Sequence, residues 1–180
     1  MYIYLTKCKR QRVVVYICYH FSMEENFTTE RNPHTCFILV GIQASGKTAF
    51  AHQHLANCSY VSLDQLNTRN KEQIVLENTL KTGANCVVDN TNPTREERKK
   101  YLDLAKANGY KVVGIYFRSA VAECAERNAQ RTGKAQVPLK AILATAKRLE
   151  QPSYADGFDE LYYVKIENND FVVSKWDETV

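Results

Sequence analysis

The sequence lacks the cysteine and histidine spacing of a zinc site. Its six cysteines include no C-x-x-C pair, and none of the four histidines is spaced to complete a metal site. We therefore expect reduced thiols in a cytoplasmic protein. The cysteines at positions 36 and 86 fall within apolar runs, where cysteine packs as a small hydrophobic residue.

An apolar run long enough to cross a bilayer, about 20 residues, is also missing. Residues 13–21 are apolar and follow a basic run, which is the outline of a signal peptide, but no A-x-A-like cleavage site follows them. We therefore expect no association with a membrane.

Excess positive charge is confined to the N-terminal segment. Residues 1–22 hold four basic residues and no acidic residue, which accounts for the formal net charge of +4, so the charges of the remaining chain cancel. This anomaly motivates the hypothesis that translation begins at Met23. A chain of this length supports one core, so we expect a single domain. We assign it residues 35–180 and treat residues 1–34 as an N-terminal extension.

A local basic patch remains within the domain. Residues 118–148 carry seven basic residues against two glutamates. Such a patch suits a phosphate-bearing ligand, although a solvated helix face would have the same composition.

Short apolar runs alternate with amphipathic stretches of helical length along the domain. The runs predict five strands, at 36–40, 60–63, 85–88, 111–117 and 161–166, and leave open a short edge strand at 170–174. Helices are expected at about 47–56, 70–82, 120–130 and 139–149, with another between Asn92 as N-cap and Gly109 as C-terminal stop. The polar segment 131–137 could move as a lid. The pattern predicts a three-layer α/β domain with a central, mostly parallel five-stranded sheet.

One motif carries most of the chemistry. Residues 41–48, GIQASGKT, match G-x-x-x-x-G-K-[ST] at every fixed position, between a predicted strand and a predicted helix. Curled backbone amides would hold phosphates at the positive end of the helix, Lys47 would reach the β and γ phosphates, and Thr48 would offer its hydroxyl to Mg²⁺. The candidate ATP-binding residues are therefore Gly41, Gln43, Ala44, Ser45, Gly46, Lys47 and Thr48. The alternative is a glycine-rich turn that binds nothing.

Two aspartates follow predicted strands at the edge where an open parallel sheet gathers its ligands. Asp64 follows 61–63, and Asp89 follows 86–88. One carboxylate could orient magnesium and the other could act as a general base. The alternatives are an N-cap for Asp64 and a turn residue for Asp89.

Positive charge for the transferred phosphoryl group could come from the predicted lid. Arg131 and Lys134 lie within the segment 131–137 and Arg127 lies just before it, although arginines on an exposed helix are ordinary.

Taken together, these motifs resemble a known family over residues 36 to about 163. The segments DNTNP at 89–93 and DGFD at 156–159, in this order after the phosphate loop, are similar to the kinase domain of polynucleotide kinases and related small AAA-type ATP-binding proteins. The resemblance implies a P-loop NTPase fold in which Asp64 is the general base that activates a 5′-hydroxyl. It further implies that Asp89 organises the magnesium shell and that a lid arginine, best matched by Arg131, clamps the donor phosphates.

Two departures qualify this resemblance. Leu63 stands where the family often has an arginine, and no D-x-D-x-T phosphatase signature is present. The first departure leaves open how an acceptor would be contacted at that position.

The sequence therefore predicts an ATP- and Mg²⁺-dependent kinase domain at 35–180. Its expected partners are ATP and a hydroxyl acceptor such as a nucleic-acid 5′ end, with no obligate protein partner. A kinase for a small metabolite stays open because the domain lacks the broad basic footprint of a nucleic-acid binder. An ATP-binding switch with little transfer activity is the third interpretation.

Overall fold

The computed structural model describes residues 34–177, so the predictions for the N-terminal extension lie outside the described residues except at position 34. The elements in chain order are β1 (Thr35–Val40), α1 (Lys47–His54), β2 (Ser59–Val61), α2 (Leu63–Leu66), α3 (Arg69–Thr82), β3 (Cys86–Asp89), α4 (Arg95–Ala107), β4 (Lys111–Phe117), α5 (Val121–Ala129), α6 (Leu139–Arg148), β5 (Glu160–Glu167) and β6 (Asp170–Lys175). Short 3₁₀ turns cover Gly133–Ala135 and Tyr154–Asp156.

All six strands form one sheet in the order β2-β3-β1-β4-β5-β6. The first five strands are parallel, and β6 pairs antiparallel with β5. The α/β class and the mostly parallel sheet are confirmed, but the predicted count of five strands is one short. Asn168 and Asn169 have φ values of 51° and 62°, which suit a tight hairpin turn and fold the chain back as a full edge strand.

Successive residues of β1 supply the two halves of the core. Every residue of β1 is buried. Cys36 and Ile38 pack with residues of α3 and α4 on one face, whereas Phe37 and Leu39 pack with residues of α1 on the other. Because strand side chains alternate between faces, this pattern gives the three predicted layers.

Helix α4 begins later than the sequence predicts. Thr94, rather than Asn92, is its N-cap, and the Thr94 hydroxyl accepts a hydrogen bond from the amide of Glu97. Asn92 instead has a φ of 46° and donates its side-chain amide to the carbonyl of Leu39 at 2.7 Å. Thr94 takes the N-cap position because its side-chain hydroxyl satisfies a free amide of the first turn.

The segment after β2 also differs from the prediction. β2 ends at Val61, and the expected strand residue Leu63 opens the short helix α2, with Ser62 as its N-cap. Asp64 therefore lies in the first turn of a helix rather than directly at a strand end. Within residues 34–177, no helix is both long enough and apolar enough to span a membrane.

Candidate active site

The loop 41–48 leaves the carboxyl end of β1 and turns into α1. Ala44 and Gly46 have φ values of 60° and 105°, so the backbone has a left-handed conformation at both positions. The φ of Gly46 favours glycine, and a Cβ there would also lie 2.9 Å from Cδ1 of Ile166, so that side chain would have to shift. The Gly41 amide anchors the loop by donating to the carbonyl of Thr91 at 3.0 Å.

Several amides of this loop face no acceptor. Ser45 donates to the Ile42 carbonyl at 3.4 Å, but within residues 34–177 no protein acceptor pairs with the amides of residues 43, 44 and 46–48. The first turn of α1 contains no acidic residue. Free amides at the positive end of a helix form a cradle for an anion such as a phosphate.

Lys47 is buried beneath this cradle, with 7% of its surface exposed. Its Nζ donates to the carbonyl oxygens of Gly41 at 2.9 Å and Ile42 at 2.7 Å. Burial lowers the pKa of Lys47 from 10.5 to about 8, and the charge of Asp89 opposes that shift. A bound phosphate would replace the carbonyls as the partner of the ammonium group.

Asp89 ends β3 and is nearly buried, with 6% exposure. Its Oδ2 accepts hydrogen bonds from the hydroxyl of Thr48 at 2.6 Å and the hydroxyl of Tyr60 at 2.5 Å. Burial and the hydrogen bond to Asp89 raise the pKa of Tyr60 well above its ordinary value. The sequence did not point to Tyr60, because only the pairing of β2 with β3 reveals that its ring reaches this carboxylate.

Thr48 and Asp89 fit a magnesium ion in the manner common to nucleotide sites. Mg²⁺ prefers oxygen ligands and is usually held by one or two protein groups together with phosphate and water oxygens. Residues 34–177 contain no cluster of three or more His, Cys, Asp or Glu side chains that could hold a metal unaided. The two oxygens of Thr48 and Asp89 therefore suit an ion that arrives with a triphosphate.

Asp64 lies at the same edge of the sheet as Lys47. Its side chain is exposed on α2, and its charge raises the pKa of Lys47. The two groups are therefore within electrostatic range of each other, and their joint role in one site stays a prediction. The backbone amide of the preceding Leu63 donates to Oδ1 of Asn90 at 2.9 Å, which ties α2 to the end of β3.

The two candidate arginines take different positions. Nε of Arg127 donates to the carbonyl of Ala44 at 2.8 Å, so this side chain braces the phosphate loop. Arg131 is half-buried beyond α5, and its charge lowers the pKa of Lys47. Among residues 34–177, the hydrogen bond that Arg131 donates is a long one, 3.5 Å to the carbonyl of Ala135, so its charge lies near the site without a strong partner in that part of the chain.

Helix α6, which follows the predicted lid segment 131–137, also contacts the phosphate loop. Gln43 donates from Nε2 to the hydroxyl of Thr145 on α6 at 3.0 Å, and its Oε1 is buried without a described partner. Ile42 and Ala44 pack in one small core with Cys124 and Ile142. The region expected to be a lid is thus joined to the phosphate loop through both α5 and α6.

Residues 64–152 match a family described as an AAA domain, and the match begins after the phosphate loop. The chain is 29% identical over 145 residues to the bifunctional polynucleotide phosphatase/kinase of Schizosaccharomyces pombe (strain 972 / ATCC 24843), covering 78% of this chain and 34% of that protein. This chain thus spans about a third of the length of the curated relatives it matches. The predicted resemblance to P-loop kinase domains of the polynucleotide-kinase type is confirmed.

Solved structures support the fold at lower identity. A gluconokinase from Sinorhizobium meliloti 1021 is 19% identical, with a TM-score of 0.53 over 76% of this chain and 84% of that chain. Kti12 of Chaetomium thermophilum, solved in complex with ADP-AlF3, is 16% identical, with a TM-score of 0.59 over 72% of this chain and 88% of that chain. These similarities concern the α/β fold alone.

Proposed function

We propose that this domain transfers the γ-phosphoryl group of ATP to a hydroxyl acceptor, with a nucleic-acid 5′ end as the leading candidate. The observation that carries the proposal is the parallel pairing of β1, β3 and β2, at whose carboxyl ends the phosphate loop, Asp89 and the helix of Asp64 follow, with the hydroxyl of Thr48 2.6 Å from Asp89. A phosphate cradle beside an exposed carboxylate is the arrangement that transfer to a hydroxyl needs.

The donor half of the reaction belongs to the phosphate loop. The amides of Gln43, Ala44, Ser45 and Gly46 would surround the β phosphate, and Lys47 would bind oxygens of both the β and the γ phosphate. Magnesium, when bound, would neutralise the charge of these phosphates. Thr48 and Asp89 are proposed to hold it, supported by their oxygen pair 2.6 Å apart.

The acceptor half belongs to Asp64. Its carboxylate would take the proton of the attacking hydroxyl while the acceptor oxygen bonds to the γ phosphorus and the bond to ADP breaks. Exposure of Asp64 supports this role, because an acceptor must approach from solvent. Arg131 is proposed to contact the γ phosphate, and the bond from Arg127 to the Ala44 carbonyl supports a role in shaping the loop.

A radiolabel assay tests this proposal. Purified full-length protein, γ-labelled ATP and a 5′-hydroxyl oligonucleotide should give a labelled oligonucleotide. Asp64→Asn should lower kcat by about 10²-fold to 10⁴-fold, the range for loss of a general base, while ATP binding persists. Gln65→Ala, at the adjacent exposed position, is the matched control and should keep wild-type kcat. Wild-type kcat in Asp64→Asn would refute the assignment.

A second candidate is a kinase for a small metabolite. The balanced charge of residues 23–180 favours it, because nucleic-acid binders usually carry a broad basic surface. Raising the salt concentration discriminates the two: oligonucleotide KM should rise steeply with salt, whereas a small acceptor would show a shallow dependence. ATP hydrolysis with no labelled acceptor would favour the switch interpretation.

A cytoplasmic location forms part of the same proposal. The cysteines that the structure describes, at positions 36, 58, 86 and 124, are all free thiols. Free thiols are typical of proteins in reducing compartments.

A further inference from the structure

The short helix that carries Asp64 is capped by the residue that follows the neighbouring strand β3. Ser62 occupies the N-cap position of α2, but its side chain makes no capping hydrogen bond. The first amide of the helix, that of Leu63, donates instead to Oδ1 of Asn90 at 2.9 Å. Asn90 follows the last residue of β3, so the start of α2 is held from the neighbouring strand end.

A buried carboxylate fixes the orientation of the Asn90 amide. Nδ2 of Asn90 donates to Oε1 of Glu72 at 2.5 Å and to the hydroxyl of Tyr101 at 3.1 Å. The Tyr101 hydroxyl itself donates to Oε1 of Glu72 at 2.9 Å. Rotating the amide by half a turn would place its carbonyl oxygen against the carboxylate of Glu72, so only one orientation is favourable.

Glu72 is held too firmly to adapt to another arrangement. It is 2% exposed, and its other oxygen, Oε2, accepts from Arg69 at 3.0 Å. Removing one partner from a buried charged network leaves groups without hydrogen bonds, which is unfavourable. The side-chain amide of Asn90 is therefore held in place by hydrogen bonds to α3 and α4.

The position of Asn90 gives this network a functional meaning. Asn90 directly follows Asp89, the proposed magnesium carboxylate, and the amide that it caps directly precedes Asp64, the proposed base. Asn90 thus joins the two carboxylates, because it is the chain neighbour of Asp89 and its side chain holds Leu63, the chain neighbour of Asp64.

We propose that Asn90, oriented by Glu72 and Tyr101, is a positioning residue that sets the distance between Asp64 and the phosphate loop. This inference rests on the proposed function. A short helix of four residues has little structure of its own, so the cap determines where its first turn lies. Displacement of a catalytic group by about 1 Å can lower a rate by about 10²-fold.

A double-mutant cycle tests whether Asn90 acts through Asp64. Asn90→Ala should lower kcat for a 5′-hydroxyl oligonucleotide by about tenfold to 10²-fold and leave the Kd for ATP within about twofold. In the Asp64→Asn background, the same substitution should change kcat by less than about twofold, because the group that it positions is already gone. Equal factors in the two backgrounds would overturn the proposal.

Conservative variants separate positioning from a general loss of structure. Glu72→Gln keeps an acceptor for Asn90 and should keep kcat within about threefold, whereas Glu72→Leu should lower kcat as Asn90→Ala does. Gln73→Ala removes an exposed amide on the same helix, bonded to Glu77 at 2.8 Å, and should change nothing. Equal kcat for Glu72→Gln and Glu72→Leu would contradict the proposal.

Hydrogen exchange supplies a measurement that does not depend on activity. The Leu63 amide should exchange at least about tenfold faster in Asn90→Ala than in wild type, because its acceptor is removed. An unchanged exchange rate would refute the capping role. Failure of the proposed function has a different signature, namely wild-type kcat in Asp64→Asn together with fast exchange in Asn90→Ala.

Discussion

The pKa of Lys47 makes a quantitative prediction about ATP binding. Burial holds that pKa near 8 in the nucleotide-free protein. Phosphate oxygens placed beside the ammonium group would favour its charged form and raise the pKa again. Because a group whose pKa rises on binding takes up a proton, ATP binding should be coupled to proton uptake above neutral pH.

The expected number of protons follows from the free-state pKa of about 8. A lysine with that pKa is neutral in about one tenth of molecules at pH 7, about half at pH 8 and about nine tenths at pH 9. ATP binding should therefore take up about 0.1, 0.5 and 0.9 protons at these pH values. The same linkage weakens the apparent affinity for ATP by about tenfold between pH 7 and pH 9.

Isothermal titration calorimetry measures this quantity directly. The observed binding enthalpy is plotted against the ionisation enthalpy of the buffer for several buffers. The magnitude of the slope of this plot is the number of protons taken up. Arg131→Gln should reduce the slope at pH 8, because the Arg131 charge lowers the pKa of Lys47. Lys140→Gln, an exposed charge removed from α6, is the control and should leave the slope unchanged.

Either of two results would refute this reasoning. A slope that stays near zero at pH 9 would mean that Lys47 is protonated in the free protein despite its burial. A slope that does not vary between pH 7 and pH 9 would assign the proton to another group. In the first case the affinity for ATP should also lose its predicted dependence on pH, whereas in the second it should change by a constant factor per pH unit.

Three further predictions concern stability, measured by urea unfolding of the nucleotide-free protein. Lys47→Met should abolish ATP binding yet raise the free energy of unfolding at pH 7 by about 1–3 kcal/mol, because it removes a buried charge. This gain should shrink as the pH rises from about 8 to 10.5, since the wild-type ammonium group loses its proton over that range. Arg98→Met should lower it by about 3–5 kcal/mol, because buried Asp156 loses its buried cation and keeps only the largely exposed Arg95. Lys99→Met, which removes an exposed pair, should change it by less than about 1 kcal/mol. Gly114→Ala should lower it by about 1–3 kcal/mol, since the new Cβ would lie 2.4 Å from Cδ2 of Leu161; an unchanged midpoint would show that the core can adapt.

Most of the fold was predictable because hydrophobic periodicity sets it. The buried strands β1, β3 and β4 are continuous apolar runs, and each lies within a residue of its predicted bounds. The errors occur where local hydrogen bonds decide an outcome. Thr94 displaced Asn92 as the cap of α4, and Asn168 with Asn169 made the hairpin that completes β6. Such choices depend on a few tenths to about 1 kcal/mol, which periodicity does not register.

The candidate site was predictable only in part for a different reason. Asp89 ends a strand, Lys47 and Asp64 come soon after one, and the sequence places these strand ends to within two residues. Tyr60 and Glu72 reach the site through pairing between β2 and β3 and through packing of α3, which depend on contacts distant in sequence. The choice between Arg127 and Arg131 was likewise undetermined, because the two lie close together in the sequence. Only the structure shows that Arg127 contacts the phosphate loop through the carbonyl of Ala44.

The strand order explains why two identical carboxylates would have different roles. β3 lies next to β1, and β2 lies one strand farther, so with strands about 4.8 Å apart the two aspartates sit at different distances from the loop. The hydroxyl of Thr48 donates to Asp89 at 2.6 Å, so the two oxygens are close enough to be neighbouring ligands of one ion, and no acceptor fits between them. Asp64 is exposed one strand away, where a phosphoryl group and an incoming hydroxyl could fit. The proposed division of labour therefore follows from topology rather than from residue type.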